Sequence, residues 1–368
     1  MSNHRITQLS RSMCERGLEA LVLLPGPTLQ HLAGLSFHLL ERPVVAIFRS
    51  DGRSALVVPE LEASKAQAVA SIDLLFPYGE DESSRSNAFA RAVSLMSLDG
   101  LTIGVEPLRM RFLELRLLQE AAPRASFVSA ENITTTLRIL KAAEEVDAIR
   151  RAVRVAQAAL DSTLPLVRIG MSEHEVASEL TLQLLRAGSD PETAFSPIVA
   201  SGPQSALPHA VPGKRRLVAG DLLLIDWGAR VGGYVSDLTR TFAVGEVDAE
   251  LARIHDIVCR ANAEARSVVR PGATCSVVDQ AARRVIAQSG YGEHFIHRTG
   301  HGIGLEEHEP PYIREGNEQP LAAGMTFTVE PGIYLQGRGG VRIEDNLVVT
   351  EQGSETLSTY PRELKVIL

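Results

Sequence analysis

Five side chains in the C-terminal two thirds of this 368-residue chain have the types and spacings from which a cation site can be built: Asp226, Asp237, His301, Glu330 and Glu344. Leu222 to Trp227 is apolar except for Asp226 and reads as a buried strand. Arg230-Val-Gly-Gly233 reads as a turn, and Tyr234 to Val244 as the return strand. With the turn centred between Val231 and Gly232, Asp226 faces Asp237 across the hairpin, their Cβ atoms about 5 Å apart. Two carboxylates that close in a low-dielectric setting cannot both stay ionised unless a cation lies between them. The pair asks for a metal.

A second hairpin repeats the device. Thr326, Thr328 and Glu330 share one face of a strand by its two-residue period, and Arg342 and Glu344 share a face of the returning strand. A loop centred on Gly337, with Gly339 and Gly340 beside it, brings Glu330 opposite Glu344. The nitrogen donor comes from His297-Arg-Thr-Gly-His301-Gly-Ile-Gly-Leu-Glu-Glu-His308-Glu-Pro-Pro. His297 and His301 have the spacing of a helical zinc pair, but Gly300, Gly302 and Gly304 argue against a helix, and the glycine run lacks a dinucleotide-binding context. A loop presenting His301 is expected. Taken singly, each histidine is an ordinary hydrogen-bonded residue and each acid a solvated one; the joint arrangement carries the reading.

The elements that position these groups repeat. Ala219-Gly-Asp-Leu-Leu-Leu-Ile-Asp226-Trp-Gly228 lies over Ala323-Gly-Met-Thr-Phe-Thr-Val-Glu330-Pro-Gly332, placing one acid on the other. Upstream, Gly170, Ser172, Val176 and Gly188 lie over Gly272, Thr274, Val278 and Gly290 at nearly the same offset. The pattern predicts two similar halves, each helix, helix, hairpin. Before them, Val146, Ile149, Val153 and Ala156 fall on one helical face after Leu140-Lys141-Ala142-Ala143-Glu144-Glu145. Residues 1 to about 130 alternate helix-like stretches with apolar runs at Ala20–Leu24, Pro43–Phe48, Ala55–Val58 and Leu101–Val105, the pattern of a small α/β domain. The expected division is an N-terminal domain at 1–132 and a second domain at 138–368, an α+β chain overall.

Composition narrows the partners. A net charge of −8 leaves no positive field to gather phosphates or an anionic membrane surface, so nucleic acid and membrane are not expected. No apolar run approaches the roughly 20 residues that cross a bilayer, and Met1 to Arg11 lacks the apolar core of a secretory signal, so a cytoplasmic protein is expected. Cys14, Cys259 and Cys275 are odd in number and lack CxxC spacing, which points to reduced, mostly buried thiols.

From about residue 140 to the end, the chain resembles the creatinase/prolidase/aminopeptidase P metallopeptidases. The carriers are Ser196-Pro-Ile-Val-Ala-Ser-Gly, Leu207-Pro-His209, Ile225-Asp226-Trp-Gly, Ser236-Asp237-Leu-Thr-Arg-Thr, Thr299-Gly-His301-Gly-Ile-Gly, His308-Glu-Pro-Pro, Val329-Glu330-Pro-Gly and Arg342-Ile-Glu344-Asp. The resemblance implies a C-terminal pita-bread domain with an internal pseudo-twofold duplication, preceded by a smaller creatinase-like α/β domain. It implies that Asp226 and Asp237 ligate one metal, that His301 and Glu330 ligate the second, and that Asp237 and Glu344 bridge them. The four carboxylates balance two divalent ions, and an oxygen-rich set with one imidazole suits Mn²⁺, Co²⁺ or Fe²⁺, with Zn²⁺ also possible.

The activity so implied is hydrolysis of small Xaa-Pro peptides, as a dipeptidase or an aminopeptidase, by a homodimer. Two such ions lower the pKa of a bridging water and polarise the scissile carbonyl. Glu330 then moves the water's proton to the leaving nitrogen, His308 donates to the oxyanion, His209 and His297 shape the pocket, and Arg342 orients a metal-binding carboxylate. Trp227 and Tyr234 are expected to pack. Tyr312 stands where some prolidases place an arginine that grips the dipeptide carboxylate, a departure that weakens a strict dipeptidase reading. Alternatives are a pita-bread hydrolase or lyase acting on another small amide or zwitterion, or a non-catalytic binding module. A serine hydrolase is set aside because no GxSxG elbow occurs.

Overall fold

The computed structural model describes residues 2–68 and 72–368. The chain forms two compact units, Met1–Arg138 and Ile139–Leu368.

In the first unit, six strands form one mixed sheet in the order Leu74–Tyr78, Ser54–Pro59, Val45–Arg49, Ala20–Leu23, Thr102–Val105, Ser126–Ser129. The central strand is apolar at every position because both faces are covered: Ala20 and Val22 pack with Phe89 and Leu118, and Leu21 and Leu23 with Leu9 and Met13. The two strands not legible in the sequence are the edges. Leu74–Tyr78 contains Pro77, which an edge tolerates, and Ser126–Ser129 is mostly exposed and polar.

In the second unit the duplication is visible in backbone conformation. Helices Glu173–Arg186 and Cys275–Gln288 are N-capped by the matched Ser172 and Thr274, which accept from the amides of Glu175 and Val277. Each such cap is worth about 1 kcal/mol. The glycines matched on either side, Gly170 with Gly272 and Gly188 with Gly290, all have positive φ, which fixes their identity. Val176 and Val278 are fully buried. Each helix packs on a preceding longer one, Ala143–Thr163 in the first half and Ala249–Ser267 in the second. The first half then forms a three-stranded sheet in the order Leu238–Ala243, Leu222–Trp227, Ile198–Ser201. The second forms a five-stranded sheet in the order Glu309–Ile313, Gly300–Gly302, Thr326–Val329, Asp345–Thr350, Gly353–Thr356. An antiparallel bridge between Thr239 and Glu344 joins the halves.

Three local expectations need correction. The first hairpin turns between Gly232 and Gly233, both at positive φ, so Asp226 pairs with Thr239 instead of Asp237. A two-residue turn of this kind needs φ > 0 at both central positions, which Val231 resists. His301 lies in the short strand Gly300–Gly302, not in a loop, and the glycines beside it are there for close packing: a Cβ on Gly300 would meet the Thr328 carbonyl oxygen at 1.9 Å. Cys14 is exposed; Cys259 is half-buried, Cys275 is buried, and all three are free thiols. Among the described residues, no helix is long and apolar enough to cross a membrane.

Candidate metal centre

The second hairpin has the expected register. Thr326–Val329 pairs with Asp345–Val348 and Gly332–Leu335 with Gly339–Arg342, both about a centre at Gly337, so Glu330 and Glu344 occupy opposed positions between the two ladders. In the first hairpin Asp226 and Asp237 are diagonal neighbours around Thr239, on one face of the sheet. The backbone amide of Asp237 donates to Asn346 Oδ1 at 3.0 Å, and the Asn346 amide returns a bond to the Asp237 carbonyl, which ties the acid's strand to the other half.

Six side chains converge. Donor atoms of Asp226, Asp237 and Glu344 lie within 4.8 Å of one another, as do those of His301, Glu330 and Glu344, and those of Asp237, His301 and His308. Asp226, Asp237, His301 and Glu344 are buried. His301 Nε2 lies 3.2 Å from Glu330 Oε1 and 3.6 Å from Asp237 Oδ2. Its Nδ1 is 3.2 Å from the Gly302 carbonyl, to which it donates, so Nε2 is the nitrogen that faces the acids.

Electrostatics mark this as an unsatisfied site for its own residues. Burial, then the charges of Glu344 and Asp226, hold the Asp237 carboxyl well above its ordinary range. Burial, then Glu330 and Asp226, do the same to Glu344. Asp226 is raised by burial although Arg342 opposes it. Only Glu330 is low, at about 2, because His301 overcomes its desolvation. Asp226 Oδ1 and Glu344 Oε1 are buried oxygens without a hydrogen-bond partner, a costly state that a divalent cation relieves. The donor set, hard oxygens with imidazole, fits such a cation.

Arg342 is buried and spends its guanidinium on this arrangement: Nη2 donates to Asp226 Oδ2 at 2.6 Å, Nε to Thr239 Oγ1 at 3.1 Å and Nη1 to the Tyr334 hydroxyl at 3.0 Å. It therefore orients Asp226, not its neighbour Glu344. Thr239 in turn donates to Glu344 Oε2 at 2.7 Å. These partners, Thr239, Tyr334 and Asn346, were not singled out from the sequence, although Thr239 shares the two-residue period of Asp237. Trp227 and Tyr234 pack and hydrogen-bond away from the acids, to the Ala156 carbonyl and to Glu145.

The cluster opens into a cavity of about 580 Å³ whose walls include Phe195, His209, His297, Arg298 and His308. His297 accepts at Nε2 from the Tyr334 hydroxyl at 2.8 Å and donates at Nδ1 to the Arg298 carbonyl at 2.7 Å. The His308 ring packs edge-on against His301, their centroids 4.0 Å apart. The cleft's desolvation, then the charges of His301 and Arg298, bring His308 down to about 4, so it is neutral near pH 7. Behind it, the buried pair Lys141 and Glu309, 2.6 Å apart, fixes the strand that follows. Their separation in sequence hid the pair from inspection.

Comparison with known proteins agrees with this architecture. Residues 147–351 match the profile of Metallopeptidase family M24, and residues 5–140 that of the Creatinase/Prolidase N-terminal domain. The chain is 37% identical over 373 aligned positions to a probable dipeptidase PepE of Mycobacterium tuberculosis, covering 99% of this chain and 96% of that protein. It is 33% identical to an Xaa-Pro dipeptidase of Pyrococcus horikoshii, covering 98% and 99%. Among solved structures, a prolidase of Thermococcus sibiricus superposes with a TM-score of 0.94 at 32% identity, covering 100% of this chain and 99% of that one. A duplicated fold, an acid-rich cation site and chain-long similarity thus agree: this chain belongs to metallopeptidase family M24, with a creatinase-type domain preceding the catalytic one.

Proposed function

We propose that the chain hydrolyses Xaa-Pro bonds of small peptides, dipeptides foremost, with two divalent cations held between its halves. Asp226 and Asp237 hold one, His301 and Glu330 the other, and Asp237 and Glu344 are shared. The observation that carries this is the pair of partnerless buried oxygens, Asp226 Oδ1 and Glu344 Oε1, in a cluster of four acids where Glu344 belongs to two donor groups at once. Bound cations there supply Lewis acidity, which makes water nucleophilic near neutral pH and polarises a carbonyl. Mn²⁺ is the expected metal, because the donors are mostly carboxylate.

The chain's own residues do the rest. Glu330, which lines the cavity, takes a proton and returns it to the prolyl nitrogen. His308, neutral near pH 7, keeps one ring N–H to donate to the developing oxyanion. His209 and His297 line the substrate space, and Tyr334 and Arg342 hold His297 and Asp226 in place. An Xaa-Pro bond lacks the amide hydrogen on which general peptidases rely, so a dedicated cavity is required. Support for proline comes from the Xaa-Pro dipeptidase of Pyrococcus horikoshii and the prolidase of Thermococcus sibiricus. A homodimer is part of the same proposal.

The test is hydrolysis of Ala-Pro and Ala-Pro-Ala by chelator-stripped protein before and after Mn²⁺, Co²⁺ or Zn²⁺, with metal content measured alongside. Cleavage restored by metal, with Ala-Pro preferred, is expected. Two bound metals without cleavage of either peptide would discard proline peptides as substrates and turn the search to other small amides.

A further inference from the structure

The wall of the cavity holds one acid that the metal chemistry leaves unused. Glu307 lines the cavity beside His308 and is half-buried, yet it belongs to none of the donor groups that the other acids form. Among the described residues it has no hydrogen bond and no ion pair. The cations that could neutralise it are committed elsewhere. Arg342 pairs with Asp226, Arg298 lies over the Tyr312 ring at 4.6 Å from its centroid, and Arg230 donates to the carbonyls of Glu192 at 3.1 Å and Gly233 at 3.2 Å. The loop that carries Glu307 is pinned on both sides: the Val235 amide donates to the Gly304 carbonyl at 2.9 Å, the Gly304 amide to the Glu306 carbonyl at 3.1 Å, and Glu309 is anchored by Lys141.

A carboxylate fixed in a partly desolvated wall without a partner is preorganised for a cation. Two divalent ions balance the four clustered acids, so Glu307 is the negative charge left over for substrate. His308, the next residue, is assigned to the scissile carbonyl, and that carbonyl belongs to the residue before proline. Glu307 therefore borders that residue. The α-ammonium stays next to the scissile carbonyl and the metal cluster, whereas a wall carboxylate outside the cluster is met by a side chain that extends away from it. Phe195, Ile198 and Pro208 give the same cavity an apolar wall, on which the methylene stem of a long basic side chain lies while its head reaches a carboxylate. Resting on the Xaa-Pro reading above, we propose that Glu307 binds the charged head of a Lys or Arg side chain on the residue before proline and thereby makes basic Xaa-Pro dipeptides the preferred substrates.

The test compares kcat/KM for Lys-Pro, Met-Pro and Glu-Pro in the metal-loaded full-length protein and in Glu307→Gln and Glu307→Lys, with metal content and melting temperature recorded for each. Wild type is expected to prefer Lys-Pro over Met-Pro, a neutral side chain of similar length, by about 10-fold, the effect of one charge-assisted hydrogen bond in a half-exposed wall. The preference should shrink as salt is raised. Glu307→Gln should collapse the ratio toward one, chiefly through KM for Lys-Pro, and Glu307→Lys should invert the order so that Glu-Pro overtakes Lys-Pro. Persistence of the wild-type ratio in a metal-replete Glu307→Gln protein overturns the assignment and leaves the Xaa-Pro activity standing. An equal loss for Lys-Pro and Met-Pro in that variant overturns it too, because the carboxylate would then hold the α-ammonium common to both. Loss of metal in that variant would make Glu307 a ligand, and absence of the preference in wild type sinks the proposal outright. Failure of the wild type to cleave any of the three peptides removes the activity itself, and the specificity role with it.

Discussion

Arg342 Nη2 donates to Asp226 Oδ2 at 2.6 Å while Asp226 Oδ1, the other oxygen of the same carboxylate, faces the acid cluster with no partner. One oxygen is spent on orientation so that the other is aimed. Replacing Arg342 by Met should therefore lower metal affinity roughly 10–100-fold, the usual effect of losing a group that orients a ligand. Titration of the stripped variant with Mn²⁺ checks this; unchanged affinity would show that Arg342 serves packing alone.

Asp237→Asn should have opposite effects with and without metal. In stripped protein it removes a carboxylate that burial and two neighbouring acids hold well above its ordinary range, so repulsion falls and the melting temperature rises by a few degrees, equivalent to about 1 kcal/mol. In the presence of Mn²⁺ the variant should bind less metal, melt below wild type and lose turnover by orders of magnitude. Calorimetry with and without chelator reads both signs.

His308→Ala is expected to retain metal and lose about 10²–10³-fold in kcat, because its proposed contact forms only as charge develops on the carbonyl oxygen. Steady-state kinetics with metal analysis decides the point. His308 shares a donor group with Asp237 and His301, so loss of metal in this variant would make it a ligand instead.

A pH effect on stability follows from His255, buried in the helix Ala249–Ser267, where burial lowers its pKa from 6.5 to about 4. Folded protein then binds fewer protons than unfolded protein between those values. The His255 contribution is fully present above pH 6.5 and is lost as pH falls from there toward 4, amounting to roughly 3 kcal/mol at most. The stability difference between wild type and His255→Gln should accordingly shrink or reverse between pH 7 and pH 4.5 in denaturant melts. A constant difference would contradict the buried neutral imidazole.

Much of the site was legible because its residues obey short-range rules. The period of two put Asp226 and Glu330 on strand faces, and the repeat tied one acid to the other. The register about Gly337 was correct because the loop is symmetric around a glycine at positive φ. The register of the first hairpin failed by one turn position, since Gly232 and Gly233 both had to be recognised as the turn. What sequence spacing does not carry is long-range pairing. Lys141 with Glu309, Asn346 with Asp237 and Arg298 with Tyr312 meet only because sheets and helices bring them together. The same limit hid the buried Arg240, Asp345 and Arg362 network, in which Asp345 is held at about 2 despite its burial.

The bridge between Thr239 and Glu344 spans a hundred residues of chain, and the acids on either side of it belong to different halves of the repeat. Cations shared across that seam, as proposed, would act as a removable crosslink that closes a long loop, since any ligand that binds only the folded form adds about 1.4 kcal/mol of stability per tenfold excess over its dissociation constant. On that reading free metal concentration sets lifetime as well as catalysis, and limited proteolysis is expected to cut the stripped protein at the seam sooner than the metal-loaded one.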